Sequence, residues 1–178
     1  MLSGNTAGIL AVLYASIAGL AMPFAPVHLL FINLLTDSLP ALAIGMEPAD
    51  SSLLSQKPRD PKLGIMTKDF VWKMLLQGAL IAIASMTAYD IGLKESAALA
   101  STMAFATLTL ARLFHGFNCR GEQSIFKLGL QSNKYSIYAF AAGALLLALV
   151  LLIPGLHTLF TVANIPAANY GWIGILAF

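Results

Sequence analysis

Along this chain apolar residues gather into long runs separated by short polar stretches. A hydrocarbon core of about 30 Å needs about 20 residues of helix at about 1.5 Å each. Runs of that kind cover residues of about 2–20, 27–46, 70–89, 97–117 and 135–153, and a partial sixth occupies 167–178. The pattern predicts an all-α membrane protein, a bundle of about six transmembrane helices forming one membrane domain over 1–178. The last run, "YGWIGILAF", has half the needed length and no flanking polar anchor, and reads as a helix cut part-way.

The polar stretches give the topology. Lys57, Arg59, Lys62, Lys68 and Lys73 lie in or beside the loop between the second and third runs. Arg112, Arg120, Lys127 and Lys134 lie in or beside the loop between the fourth and fifth, and only Lys94 falls on the other side. The positive-inside rule makes those two loops cytoplasmic, with the N-terminus on the same side and "AMPFAP", "DIGLKES" and "PGLHTLFTVANIPA" outside. The expected location is therefore integral and multi-pass, and the lipid bilayer is the first partner. The loop "EPADSSLLSQKPRDPKLGIMTK" is rich in Pro, Ser and charge and is expected to lie extended over the cytoplasmic surface. The N-terminal run has no basic n-region or small-residue cleavage site, so it reads as a membrane helix and not as a secretory signal.

Composition agrees with this class: 58% of the 178 residues are hydrophobic and 10% charged, against roughly 25% charged in a soluble domain. The net charge of +2 and the placement of the basic residues in two loops exclude a nucleic-acid-binding role. One cysteine, Cys119, precludes an internal disulfide, and no zinc spacing, phosphate-binding glycine loop or nucleophile motif is present. No catalytic residue is expected in this segment.

The chemistry is concentrated in "INLLTDSLPALAIGMEP", residues 32–48. Asn33 and Asp37 are four apart and share a helix face, with Thr36 adjacent. An aspartate at the centre of a membrane helix carries an insertion penalty of about 2.5–3.5 kcal/mol, which makes it a functional candidate. Oxygen ligands of this kind suit a hard cation such as Ca²⁺. Pro40 has no N–H to give the Thr36 carbonyl, so the second helix is expected to be broken near Asp37 to Pro40, with the freed carbonyl available to a cation. The competing reading is that Asn33 and Asp37 only hydrogen-bond a neighbouring helix, at about 0.6 kcal/mol per pair. An amide would serve that purpose at lower cost, which favours cation contact. Asn5 is a second intramembrane amide, either an interhelical hydrogen bond or a completing ligand. Arg112 and His115 fall near the cytoplasmic end of the fourth run, where snorkelling to the headgroups is expected. Gln77, Tyr14 and His28 read as packing residues or interfacial anchors.

The stretch "VHLLFINLLTDSLPALAIGMEPAD" resembles the sixth membrane helix of P-type calcium pumps, with its N-L-x-T-D-x-x-P-A pattern and E-P-x-D exit, and "KPRDPK" resembles the loop that follows. The resemblance extends over the whole chain in helix order, from the fifth membrane helix to a truncated tenth. It implies that Asn33 and Asp37 are side-chain ligands of a transported Ca²⁺, that Thr36 is a nearby oxygen donor, and that Asn5 matches an amide serving the other ion in two-site pumps. The glutamate expected one turn after that amide is Gly8, and the acid expected in the eighth helix is Ala111, beside Arg112. Ser38 stands where a glycine often follows the aspartate. Two missing carboxylates imply one Ca²⁺ per cycle, as in plasma-membrane or secretory-pathway pumps and their bacterial relatives, with a bacterial cell membrane as the expected location. Manganese or another hard cation is the alternative by ligand type.

The same resemblance places the remaining site acid, the phosphorylated aspartate and the nucleotide pocket in N-terminal membrane helices and cytoplasmic domains that would be this chain's partners. ATP and Mg²⁺ would serve the full-length enzyme only. Two other function classes compete: a secondary transporter in which Asp37 carries a proton, and an assembly subunit without an ion site. The first of these lacks the second Pro-interrupted acid motif that an internal repeat would supply.

Overall fold

The computed structural model describes residues 2–47, 64, 66–120 and 133–178. Most of the loop expected to lie extended, and the basic residues Lys57, Arg59, Lys62 and Lys127, fall outside them. Among the described residues the chain is all helical, in the order α1 (Leu2–Ile17), α2 (Pro26–Phe31), a π-helical turn (Ile32–Thr36), α3 (Ser38–Gly45), α4 (Lys68–Leu93), α5 (Ala97–Asn118), α6 (Lys134–Leu152), α7 (Pro154–Phe160) and α8 (Ala167–Ala177). Four spans among the described residues are long and apolar enough to cross a membrane: Pro26–Gly45, which joins α2, the π turn and α3, then α4, α5 and α6.

Side chains flanking the apolar runs define the helix starts. The Thr67 hydroxyl accepts from the Phe70 N–H at 3.3 Å, and the Ser96 hydroxyl from the Leu99 N–H at 3.1 Å, so each satisfies an otherwise orphaned donor. Asn133 caps α6 in the same way through the N–H groups of Tyr135 and Ser136. At the other end of α1, Gly19 turns the chain at φ +67, where any Cβ would be strained.

α5 is the most buried helix and the hub of the bundle, packed on α4, α6 and α8, while α1 lies along α4. Several of its inner residues are small, Ala100, Ala104, Ala106 and Thr107 among them, which lets neighbouring backbones approach. Two glycines on α4 mark the closest approaches. A Cβ on Gly92 would lie 2.8 Å from Ala100 Cα, and one on Gly78 would lie 2.9 Å from the Ser3 carbonyl oxygen. At the end of the bundle where α4 turns into α5, the fully buried His28 stacks on Phe105 with ring centroids 4.3 Å apart. Its Nδ1 accepts from the Ala25 N–H at 3.1 Å and its Nε2 reaches the Phe160 carbonyl at 2.8 Å, which fixes α7 over the start of α2. His28 is therefore a core residue tying two loops together and not an interfacial anchor.

Candidate cation site

The motif helix widens just ahead of the Asp37 to Pro40 stretch where the sequence predicts a break. The Asp37 N–H donates to the Ile32 carbonyl, five residues back, at 2.8 Å, closing a π turn over Ile32–Thr36. Pro40 can give no N–H to Thr36, and a wide turn just before it lets the chain continue with one bond shifted. Asp37 stays helical at φ −87, ψ −35, and α3 begins at Ser38. The interruption thus lies immediately before the Asp37 to Pro40 stretch, as a widened turn instead of an unwound segment. A serine after the aspartate, with its Cβ, favours helical backbone where a glycine would permit unwinding.

Asp37 is half-buried and faces α5 and α1. The Arg112 guanidinium reaches it through Nη2, which bonds the Asp37 carboxylate and also donates to Asn5 Oδ1 at 2.7 Å. Arg112 is 7% exposed, so it does not snorkel. With a counter-charge in reach inside the bundle, the guanidinium gains a charged partner without leaving the low-dielectric interior. Gly4 on α1 makes room for it, since a Cβ there would stand 2.5 Å from Arg112 Nε.

The other expected ligands are placed differently. Thr36 is 1% exposed, and its hydroxyl donates to the Ile32 carbonyl of its own helix at 2.9 Å. Asn33 lies on the exposed face with Leu30 and Leu34. The fold therefore joins Asn5 and Asp37 through Arg112 and leaves Asn33 and Thr36 outside that group. Among the described residues no three His, Cys, Asp or Glu side chains stand close enough to hold a metal ion. A cation approaching Asp37 here meets one carboxylate already paired to an arginine, and must displace it.

A small cavity beside the ion pair is lined by Gly4, Asp37, Pro40, Arg112, His115 and Cys119. His115 is buried, and its Nε2 has no hydrogen-bond partner among the described residues. Like Arg112, it does not reach outward to the headgroups.

Arg112 is the site residue that sequence reading missed. The available signal was charge arithmetic: an aspartate and an arginine each placed within apolar runs compensate one another at lower cost than either alone. Arg112 stands six residues before the end of α5, about 9 Å along the helix, deeper than a terminal snorkelling position requires.

Comparison with known proteins gives a consistent result. Residues 21–178 match the family described as cation transporting ATPase, C-terminus. A calcium-transporting ATPase of Bacillus subtilis is 39% identical over 170 residues, covering 93% of this chain and 19% of that protein. Calcium-transporting ATPase 1 of Lactococcus lactis is 39% identical over 173 residues, covering 97% of this chain and 19% of its own length. Calcium-transporting ATPase type 2C member 1 of Mus musculus is 27% identical over 162 residues. The chain spans about a fifth of the length of these relatives. On the family match and these relatives together, the chain belongs to the P-type cation-transporting ATPases, of which it matches the C-terminal membrane region.

Proposed function

We propose that this segment forms part of the ion path of an ATP-driven calcium pump that moves one Ca²⁺ per cycle. The observation that carries the reading is the position of Arg112: its guanidinium holds both Asp37 and Asn5. Asn5 is the amide that resemblance assigns to the second ion of two-site pumps. A fixed positive charge on that amide repels a second divalent cation, and Gly8 and Ala111 supply no carboxylate to offset it. Asp37 then serves the single transported ion, with Arg112 as its counter-charge when the ion is absent. Asn33 and Thr36 are the further oxygen donors, and they join Asp37 only if the π turn that carries them rewinds on ion binding while α3 keeps its place. Asn33, on an exposed face with Leu30 and Leu34, suits packing against the other membrane helices of a full-length pump.

ATP, Mg²⁺ and phosphoryl transfer belong in this reading to the cytoplasmic domains of the full-length enzyme. The basic residues Lys68, Lys73, Arg120 and Lys134 mark one end of the bundle, which we assign to the cytoplasm of a bacterium, the N-terminus of the segment included. The test uses the full-length pump in membranes, with phosphorylation from ATP followed against Ca²⁺. Asp37→Asn should abolish calcium dependence, and the native pump should bind one ⁴⁵Ca per phosphoenzyme. Unchanged calcium dependence would remove Asp37 from the site. Two calcium ions per phosphoenzyme would overturn the role given to Arg112, and stimulation by Mn²⁺ without Ca²⁺ would replace the cargo.

A further inference from the structure

The α5 helix and the residues just after it present two arginines to the same motif helix. Arg112 holds Asp37, and Arg120, eight residues on and just past the end of α5, holds Glu47, just past the end of α3. The second pair is built differently from the first. Arg120 grips Glu47 as a fork, Nε to Oε2 at 3.1 Å and Nη2 to Oε1 at 2.8 Å. Asn133 closes the arrangement from α6: its Nδ2 donates to Glu47 Oε2 at 2.6 Å and to the Ala43 carbonyl at 2.8 Å, while its Oδ1 caps α6. Arg120 is 8% exposed and Asn133 2%, while the Glu47 side chain stays 23% exposed, so the carboxylate is held at a partly covered edge by two buried partners.

α3 has eight residues and no side-chain cap at its start, where the π turn joins it. α3 is the last part of the Pro26–Gly45 span, separated from α2 by the widened π turn and packed along α6, so its polar grips at the Asp37 and Glu47 ends pin its depth and rotation beyond what that packing sets. At the Asp37 end the grip is one shared guanidinium nitrogen, which cargo must displace. At the Glu47 end both carboxylate oxygens and a helix carbonyl are held from two other helices.

We propose that Glu47, Arg120 and Asn133 form a positioning clamp for the cation site. The clamp stays shut while the Arg112–Asp37 pair opens, so that Asp37 meets the cation, and later Arg112 again, at one fixed register between α3 and α5. The three residues touch no ion; they set the affinity of the site through the helix that carries its acid. This rests on the pump reading above, and the experiment separates the two.

In the full-length pump, phosphorylation from ATP is titrated with Ca²⁺ and, separately, with Mn²⁺, for the native protein and for Glu47→Ala, Arg120→Gln, Asn133→Ser and the Glu47→Ala/Arg120→Gln pair. Serine retains the α6 cap and loses both amide donations, which separates clamping from capping. Removing a partner that orients a ligand typically weakens a metal site by about 10-fold or more, and each single variant should raise the half-saturating cation concentration by about that factor with the maximal phosphoenzyme per pump retained. The double variant should be no weaker than the worse single one, because the residues act as a unit. Arg120→Lys, which keeps the charge without the fork, should fall between native and Arg120→Gln. Half-saturation unchanged in Arg120→Gln and Asn133→Ser would overturn the clamp, as would a loss of maximal phosphoenzyme at unchanged half-saturation. Stimulation by Mn²⁺ alone would overturn the calcium assignment while the Mn²⁺ titrations still decide the clamp. Stimulation by neither ion would overturn the pump reading and the clamp with it.

Discussion

Arg112 and Asp37 form an ion pair between α5 and the motif helix, with side-chain exposures of 5% and 16%. Asp37 stands eight residues before the end of α3 and Arg112 six before the end of α5, and the two side chains pair with one another. The pair makes an intramembrane acid tolerable, and any cation reaching Asp37 would have to compete with the guanidinium.

Removing one member leaves the other uncompensated. Arg112→Met should lower stability in chelator by about 3–5 kcal/mol, the usual cost of orphaning a buried charge. Thermal unfolding of the purified pump with and without Ca²⁺ checks this. On the proposed function, added Ca²⁺ should raise the transition more in Arg112→Met than in the native protein, because the ion would have no guanidinium to displace. The double variant Arg112→Met/Asp37→Asn should recover most of the loss, and an unchanged transition in the single variant would contradict the pairing.

Two glycines offer a matched contrast on neighbouring helices. A Cβ on Gly78 would lie 2.9 Å from the Ser3 carbonyl oxygen and 3.0 Å from Thr6, whereas one on Gly8 would meet nothing within 4 Å. Gly78→Ala should push α1 from α4 and cost about 1–3 kcal/mol, as overpacking does. Gly8→Ala should be neutral or stabilise by about 0.5–1 kcal/mol through the helical backbone. Unfolding midpoints of the two variants, measured side by side, decide the matter.

His28→Phe should keep the stack on Phe105 and lose both ring hydrogen bonds. The Ala25 N–H and Phe160 carbonyl would then be without these partners, at a cost of about 1–3 kcal/mol for a buried group left unsatisfied. Limited proteolysis near α7 should accelerate, since Phe160 is the link from that helix to the start of α2. A proteolysis pattern identical to native would show that α7 is held by other contacts.

The Arg120 fork, with help from Asn133, holds the Glu47 carboxyl below its ordinary value of 4.5, against the opposing effect of burial. A depressed folded pKa means that the unfolded chain takes up its proton at a higher pH than the folded one. The stabilisation is therefore complete at neutral pH and is lost as pH falls from about 4.5 toward the folded value. Glu47→Gln should flatten the acid limb of a stability–pH curve and leave the neutral-to-alkaline limb unchanged. An identical acid limb in the variant would show that Glu47 is not the group responsible.

Long apolar runs were sufficient to find the four spans long and apolar enough to cross a membrane among the described residues, because hydropathy is summed over many residues and one error does not move a span; α1 closes at Ile17, short of the expected 2–20. Ends were less legible: α4 begins at Lys68 and extends to Leu93 where apolar content alone suggested 70–89. A helix continues through polar residues once a cap such as Thr67 supplies its first hydrogen bond. α7 was missed altogether, since a seven-residue helix between Pro154 and Phe160 has no span of apolar residues to announce it. At the site, Asp37 and Pro40 were conspicuous as an acid and a helix breaker in an apolar run, but Arg112 was read as a headgroup anchor. Snorkelling and pairing look the same along a sequence; they differ only in what lies across the helix interface.

The order of the helices, the membrane class and the acid in the motif helix follow from the sequence by itself, because burial cost and backbone hydrogen bonding act locally and leave a local signature. The choice of partners was made only by the tertiary structure. Whether Asp37 faces Arg112 or lipid, whether Asn33 joins it, and whether Glu47 is held by Arg120 and Asn133 depend on the rotation of one helix against another. That rotation is set by many small contacts summed across the bundle, and no single stretch of the chain contains them.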